Sequence, residues 1–405
     1  MFVEKGFSRV PFDSVADCYI INTCSVTNTA DAKSRKMIRK AIKMNPDAFV
    51  GVMGCYSQAK PDEVSKIIGV NAVIGNNHKK EMVELVLNNK VDECYVDVKD
   101  ILRDTTYEDL MSFEFEHTRA FLKIEDGCDN FCSYCIIPYT RGRVRSKPYK
   151  DVLKEIQGIV YKGYKEVVLS GIHTGKYRDN DVNLSALVKM IVNEVKGLRR
   201  LRLSSIEINE IDDEFLEMLQ NEKVIAKHLH LPLQAGSDEI LKLMNRKYDT
   251  NYFYEKVQKI RNACKDISIT TDVIVGFPTE TDEQFNESLE FIKKVRFSGI
   301  HVFPYSKREK TKAALMTQVK DQVKDNRVKE LMNLSKELEA EYAQKFVGKT
   351  LDIIVENTHE EYLVGHTTNY LKVLIPKMTD FIGKDIQVKI EKYEYPYCYG
   401  KVVEE

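Results

Sequence analysis

Short apolar runs alternate with amphipathic stretches along most of this chain. Residues 16–22 and 50–53 are apolar runs of strand length. Each is followed by a loop, Thr23-Cys24-Ser25 and Gly54-Cys55-Tyr56, and then by a helical pattern, over residues 31–45 and 61–68. Strand, loop and helix in alternation predict a parallel sheet with helical crossovers. In the first of these helices Met37, Ile38, Ala41 and Ile42 form the apolar stripe, and the basic residues face elsewhere, as a solvated face or a contact for RNA phosphates. Residues 97–116 are acidic and polar with little periodicity, which suits an interdomain connection. The alternation then becomes regular: strands over 118–124, 166–169, 200–204, 228–231, 268–275 and 299–303, with helices between them. Six such strands predict an open or partial TIM-type (β/α)6 barrel, with chemistry at its carboxyl-terminal mouth. A charged amphipathic helix over 320–345 leads into five short alternating strands, which predict a small β-barrel. The fold class is α/β, in three blocks.

Composition narrows the setting. The chain has 405 residues, 43% hydrophobic and 30% charged, which suits a globular protein of two or three domains. Its first residues are not a secretory signal, and no apolar run reaches bilayer length. Nine cysteines without a signal argue for a reducing compartment, the cytoplasm, and for metal chemistry rather than disulfides. With 61 basic against 62 acidic residues, any RNA contact depends on local positive potential.

The chemistry centres on Gly127-Cys128-Asp129-Asn130-Phe131-Cys132-Ser133-Tyr134-Cys135, three thiols in one loop with an aromatic before the last. Soft thiolates favour iron-sulfur clusters, zinc or cuprous copper. Zinc fits less well, because structural zinc closes four ligands and no fourth cysteine follows nearby. An open coordination site is implied. Cys24 and Cys55 both sit at strand exits, where ligand sites of parallel sheets lie, and could share a metal; ordinary buried thiols are the alternative. Cys18 lies six residues before Cys24, about 20 Å away if extended at roughly 3.3 Å per residue, at the other end of the sheet. Arg141, Arg143 and Arg145 follow the thiol loop and could fork onto carboxylate or phosphate. Polar residues recur at the predicted strand ends: Ser170-Gly171-Ile172-His173, Ser204-Ser205-Ile206-Glu207, Gln234-Ala235-Gly236-Ser237 and the stretch from Asp272 to Pro278.

The thiol loop resembles the CxxxCxxC loop of the radical S-adenosylmethionine (SAM) enzymes, with Tyr134 in the usual aromatic position. The resemblance implies that Cys128, Cys132 and Cys135 hold a 4Fe-4S cluster whose open iron is chelated by SAM, and that Tyr134, Ser170, Gly171, Ser205, Glu207, Gln234 and Ser237 form part of the SAM-facing surface.

INTCSVTN and VMGCYSQ are similar to two of three cysteine motifs in the methylthiotransferase N-terminal domain. That similarity implies a second 4Fe-4S cluster on Cys24 and Cys55, with the third motif and the first strand absent from this chain, as expected of a truncated or mis-assigned start. LHLPLQAGSDEILKLMNRKY and TDVIVGFPTETDEQF also resemble this family. So does FPYSKREKTKAA, in which Lys310 stands where the family usually has glycine. GHTTNYLKVLIP resembles a TRAM domain, an RNA-binding module. Residues 346–405 hold seven lysines and no arginine against ten acidic residues, so RNA contact there would rest on a few groups. The expected RNA contacts are Arg141, Arg143, Arg308, Asn369, Tyr370 and Lys372. The expected domains are residues 1–105, 114–342 and 343–405. The resemblance is to tRNA methylthiotransferases, with the loop Gly171-Ile172-His173-Thr174-Gly175 pointing to the branch acting on threonylcarbamoyladenosine. Branches acting on isopentenyladenosine or a ribosomal-protein aspartate, and an RNA-binding iron-sulfur protein without turnover, are the rivals. Implied partners are tRNA, a reductant such as flavodoxin or ferredoxin, and a sulfur donor, with no membrane and a monomeric protein.

Overall fold

The computed structural model describes residues 1–88, 93–110, 118–377 and 381–403. The chain forms two compact, discontinuous units. Met1–Glu108, Gly127–Arg143 and Ser306–Leu315 make the first; Asp109–Asp126, Val144–Tyr305 and Met316–Glu405 make the second. The connection expected over 97–116 is described as far as residue 110, with one turn at Ile101–Arg103; its residues 111–116 lie outside the described residues.

In the first unit, β1 (Cys18–Thr23), α1 (Asn28–Met44), β2 (Phe49–Gly54), α2 (Cys55–Ala59), α3 (Pro61–Ser65), β3 (Ala72–Ile74), α4 (Glu81–Asn88) and β4 (Tyr95–Asp97) build a four-stranded parallel sheet in the order β1-β2-β3-β4. Its central strands β2 and β3 are buried on both faces, as continuous apolar runs require. The stripe of α1 differs from expectation: Asp31, Ser34, Ile38 and Ala41 are buried, whereas Met37 is exposed. Asp31 lies on the inner face because Arg308 neutralises it at 2.9 Å. Cys55 was expected in a loop and instead opens α2. Gly54, at φ +105°, turns the chain so tightly that a Cβ would meet the Thr23 carbonyl oxygen at 2.5 Å, so strand and helix join without a spacer. This unit also carries α5 (Ile137–Arg141), after the thiol loop.

In the second unit, β5 (Arg119–Lys123) precedes a short antiparallel pair, β6 (Glu125–Asp126) and β7 (Arg145–Ser146). Then come α6 (Tyr149–Tyr161), β8 (Glu166–Ser170), the short pair β9 (Arg178–Asp179) and β10 (Val182–Asn183), α7 (Leu184–Glu194), β11 (Arg200–Leu203), α8 (Asp213–Asn221), β12 (His228–His230), α9 (Asp238–Leu243), α10 (Thr250–Ala263), β13 (Ser268–Val275), α11 (Asp282–Val295) and β14 (Gly299–Pro304). Strands β5, β8 and β11 form one parallel sheet and β12, β13 and β14 another. An isolated parallel bridge, Leu201 to Ile225, links them, so six strands follow in order as an open barrel. Helix α12 (Asp321–Gln344) packs on β13 and β14, with Ser335 Oγ accepting the Ile300 N–H at 3.2 Å. It leads into a closed barrel in the order β15 (Thr350–His359), β16 (Tyr362–Thr367), β17 (Lys372–Pro376), β19 (Tyr397–Val402), β18 (Asp385–Glu394), filled by Phe346, Ile353, Val355, Val373, Ile375, Val388 and Ile390. Among the described residues, no helix is long and apolar enough to cross a membrane.

A buried ion cluster ties this barrel to the sheet. Glu166, fully buried, pairs with Arg200 at 3.0 Å and Arg202 at 2.7 Å, and the two guanidiniums also donate to the carbonyls of His366 and Thr367. Burial raises the Glu166 carboxyl, but Arg202 and Arg200 outweigh it and hold it below its ordinary value. Replacing Glu166 by Gln leaves two buried guanidiniums without their counter-ion, so the second unit should lose about 3–5 kcal/mol. Chemical denaturation followed by circular dichroism reads this; an unchanged midpoint contradicts the role given to the pair.

Candidate functional site

Two glycines close the neck of the thiol loop. Gly127, at φ +93°, lies so near Arg143 that a Cβ would meet its carbonyl oxygen at 1.9 Å, and the Cys128 N–H donates to the Gly142 carbonyl at 3.0 Å. Between them Cys128, Cys132 and Cys135 are all half-buried, with the Cys135 N–H on the Cys132 carbonyl at 3.0 Å. The Asn130 N–H approaches Cys128 Sγ at 3.5 Å. Phe131, at φ +47°, packs edge-on against Tyr139. Arg143 lies 5.0 Å over the Phe131 ring and pairs with Asp129 at 3.1 Å, which braces the loop. Tyr134 is half-buried, and the Ser133 carbonyl accepts the Ala313 N–H at 2.8 Å.

Cys24 and Cys55 follow the register pair Thr23–Gly54 on adjacent parallel strands, so they leave the sheet side by side. Cys24 is exposed and Cys55 buried. Arg141 Nε donates to Cys55 Sγ at 3.1 Å, and Asn76 Nδ2 reaches it at 3.4 Å while also donating to the Thr140 carbonyl at 2.6 Å. Arg308, buried, donates to the Ser25 carbonyl at 3.1 Å and to Asp31, anchoring the loop that carries Cys24. Cys18 opens β1 at the other end of the strand, where burial pushes its thiol up to about 11, the opposite of what a thiolate ligand needs. A cavity of about 60 Å³ lies in this unit. Its wall includes Ser25, next to Cys24; Ile136, next to Cys135; Lys60, which ends the helix opened by Cys55; and Lys307 and Lys310. Lys310 holds φ +69°, the left-handed conformation a glycine would take freely.

In the second unit the expected polar residues line up across the carboxyl ends of the strands. Ser170 ends β8 in register with Lys123, Ser204 donates its N–H to the Leu169 carbonyl at 2.9 Å, and Gln234, at φ +69°, donates its N–H to Asp272 at 2.8 Å. Ser205 is half-buried one residue further. Glu207 is engaged by Arg246. Gly171 fits against Glu125, where a Cβ would meet Oε2 at 2.7 Å. Glu125 Oε2 accepts the His173 N–H at 2.6 Å, while Oε1 has no partner among the described residues. Burial pushes the Glu125 carboxyl up to about 8. Ser237 Oγ, Ser204 Oγ and Thr174 Oγ1 are likewise buried without a partner. Four such atoms at the carboxyl ends of the strands, among the described residues, fit a polar ligand.

Sequence reasoning did not pick out Glu125 and Asn76. For Glu125 a signal existed, an acidic pair directly before the thiol loop. Among the expected RNA contacts, Arg308 and Asn369 are corrected: both are buried, Arg308 on Asp31 and Asn369 on the hydroxyl of Tyr342 at 3.0 Å. Arg141 is turned onto Cys55. Tyr370 stacks on His228 at 4.4 Å, with Arg202 4.8 Å from its ring, and the Lys372 ammonium lies 4.7 Å over Tyr397.

Three family models match the chain: the Radical SAM superfamily over residues 122–292, Uncharacterized protein family UPF0004 over 1–75 and the TRAM domain over 344–403. It is 45% identical to the threonylcarbamoyladenosine tRNA methylthiotransferase MtaB of Bacillus subtilis, across 100% of this chain and 92% of that protein. It is 40% identical to the protein of that name from Aquifex aeolicus, across 96% and 94%. A tRNA-2-methylthio-N(6)-dimethylallyladenosine synthase of Thermodesulfovibrio yellowstonii is 33% identical across 98% and 93%. Among solved structures, the radical SAM methyltransferase TsrM of Kitasatospora setae shares the fold at TM-score 0.56 and 15% identity, covering 74% of this chain and 65% of that one. With a thiol loop of the radical SAM type and full-length relatives at this identity, the chain belongs to the radical SAM tRNA methylthiotransferase family.

Proposed function

We propose that the protein places a methylthio group on carbon 2 of N6-threonylcarbamoyladenosine, next to the anticodon of tRNA, using SAM and two 4Fe-4S clusters. One observation carries the reading: a single compact unit holds both cysteine sets, with residues next to Cys24 and Cys135 on the wall of one cavity. The proteins named for threonylcarbamoyladenosine, at 45% and 40% identity, favour that substrate over the dimethylallyl form.

Cys128, Cys132 and Cys135 would hold the SAM-chelating cluster, with Tyr134 beside them; Cys24 and Cys55 would ligate the second. When bound, the clusters and SAM supply a carbon-centred radical and a methylated sulfur, chemistry that no side chain provides for an unacidic carbon-hydrogen bond. The protein's own residues position. Arg141 and Asn76 orient the Cys55 sulfur, and Arg308 fixes the Cys24 loop. Lys60 on the cavity wall is paired with Glu63 and Glu309, while Lys307 and Lys310 add positive charge that suits an incoming anionic sulfur species. Ser170, Gly171, Ser205, Glu207, Gln234 and Ser237 offer SAM the strand-end surface of the second unit. Glu125 carries its proton at neutral pH, so its free Oε1 can act as a donor there. Arg143 and Lys372 remain candidate tRNA contacts. A one-electron donor such as flavodoxin or ferredoxin and a sulfur donor complete the cytoplasmic reaction.

Nucleoside profiling of tRNA from a deletion strain tests the reading. Loss of the methylthio form of threonylcarbamoyladenosine alone, restored by this chain, is the expected result. Loss of the methylthio-dimethylallyl form, or no change in tRNA, overturns it.

Two further outcomes follow from the side chains. Arg141→Met removes an N–H donor from the Cys55 sulfur, so the cluster held there should fall in potential by roughly tens of millivolts. Redox titration by electron paramagnetic resonance checks it, and an unmoved midpoint removes Arg141 from that role. For Glu125, the folded acid binds its proton up to about pH 8, whereas the unfolded one releases it near 4.5. The native state therefore holds more protons between these values, and wild-type stability should decline as pH rises through that window. Glu125→Gln should flatten this component in denaturation curves collected across the window; parallel profiles contradict it.

A further inference from the structure

Three polar side chains meet on adjacent strands of the second unit. His230 ends β12, Asp272 lies within β13, and His301 lies on β14, with Asp272 and His301 in direct register. Strand alternation puts Asp272 on the face opposite buried Thr271 and Val273, and His301 opposite buried Ile300. His230 Nε2 lies 3.2 Å and His301 Nδ1 3.1 Å from the same atom, Asp272 Oδ1, and the ligating atoms all fall within 4.8 Å of one another. The rings stack at 5.3 Å.

The separations suit a shared cation. Metal–nitrogen and metal–oxygen bonds of about 2.0–2.2 Å give polyhedron edges of about 3.0–3.4 Å, the range of the two His–Asp distances. An outer contact is also built: Thr270 Oγ1 sits 3.0 Å from His230 Nδ1, which fixes that ring and leaves Nε2 turned to Asp272. Exposure rises from 12% at His230 through 28% at Asp272 to 64% at His301, so one side of the group opens to solvent and leaves coordination positions free. The Gln234 N–H on the Asp272 carbonyl joins the group to the strand-end surface.

We propose that His230, Asp272 and His301 bind a divalent cation of the Mn²⁺ or Fe²⁺ class, whose open positions take the carboxylate and hydroxyl oxygens of a threonylcarbamoyl group. Two imidazoles and one carboxylate are a donor set of that class. The substrate half rests on the function proposed above. A dimethylallyl group has no oxygen to offer, so the same site would discriminate against it.

Mn²⁺ is the probe, added to cluster-reconstituted protein with the clusters oxidised and diamagnetic, and followed by electron paramagnetic resonance. One Mn²⁺ should bind. Asp272→Asn and His301→Ala should each weaken it at least about ten-fold, and Thr270→Ala roughly ten-fold. His301 is exposed, so its variant should keep its cluster absorbance, which shows that weaker binding is not unfolding. Adding the threonylcarbamoyladenosine nucleoside should lower the water-proton relaxation enhancement of bound Mn²⁺, while adenosine should not. Mn²⁺ that stays free at millimolar concentration, or binds equally to both ligand variants, overturns the cation site. Mn²⁺ that binds at these residues but ignores the nucleoside overturns its substrate role; the tRNA profile above judges methylthiolation separately.

Discussion

The polar knot around Cys55 is the contact on which the first unit depends. One sulfur accepts Arg141 from the helix after the thiol loop and Asn76 from the exit of β3, and Asn76 also holds the Thr140 carbonyl. These bonds join the exit of one strand of the sheet to the end of the loop bearing Cys128, Cys132 and Cys135. Buried N–H donors aimed at sulfur are costly to leave unmade, so the pairing fixes the loop against the sheet. Arg308 repeats the device from the other side, tying its segment to Ser25 and Asp31. The unit thus gathers three stretches that are far apart in sequence.

The second unit follows a different rule. Its strands present satisfied backbone and apolar side chains to the helices, and at their carboxyl ends polar atoms have no partner among the described residues: Glu125 Oε1, Ser204 Oγ, Thr174 Oγ1 and Ser237 Oγ. Unpaired buried polar atoms are rare in stable folds and mark places shaped for something else. At Glu166 the buried charge is paired with Arg200 and Arg202.

Period-two and helical patterns made the alternation of elements legible, because each depends on local spacing; the strand over 268–275 needed no correction. The thiol loop was legible because three soft ligands in one short stretch have few uses. Contacts between distant residues were not. Arg141 and Cys55 are 86 positions apart and Arg308 and Asp31 277 apart, and a basic residue near a reaction centre reads equally well as a phosphate contact. Asn369 read as an exposed RNA contact because nothing in its neighbourhood reveals that Tyr342, 27 positions earlier, accepts its amide. At Lys310 the departure from glycine raised a question about the backbone that only φ +69° answers: the turn is retained with a side chain in a conformation that costs it.

The central claim is that one compact unit carries two separate iron-sulfur sites. Iron and sulfide content with Mössbauer spectroscopy, on anaerobically reconstituted protein and on a Cys128→Ala, Cys132→Ala, Cys135→Ala variant, tests it most directly. The account predicts about eight irons falling to about four in the variant, with one cluster remaining on the Cys24 and Cys55 side. About four irons falling to none would contradict it, leaving the thiol loop as the sole cluster site.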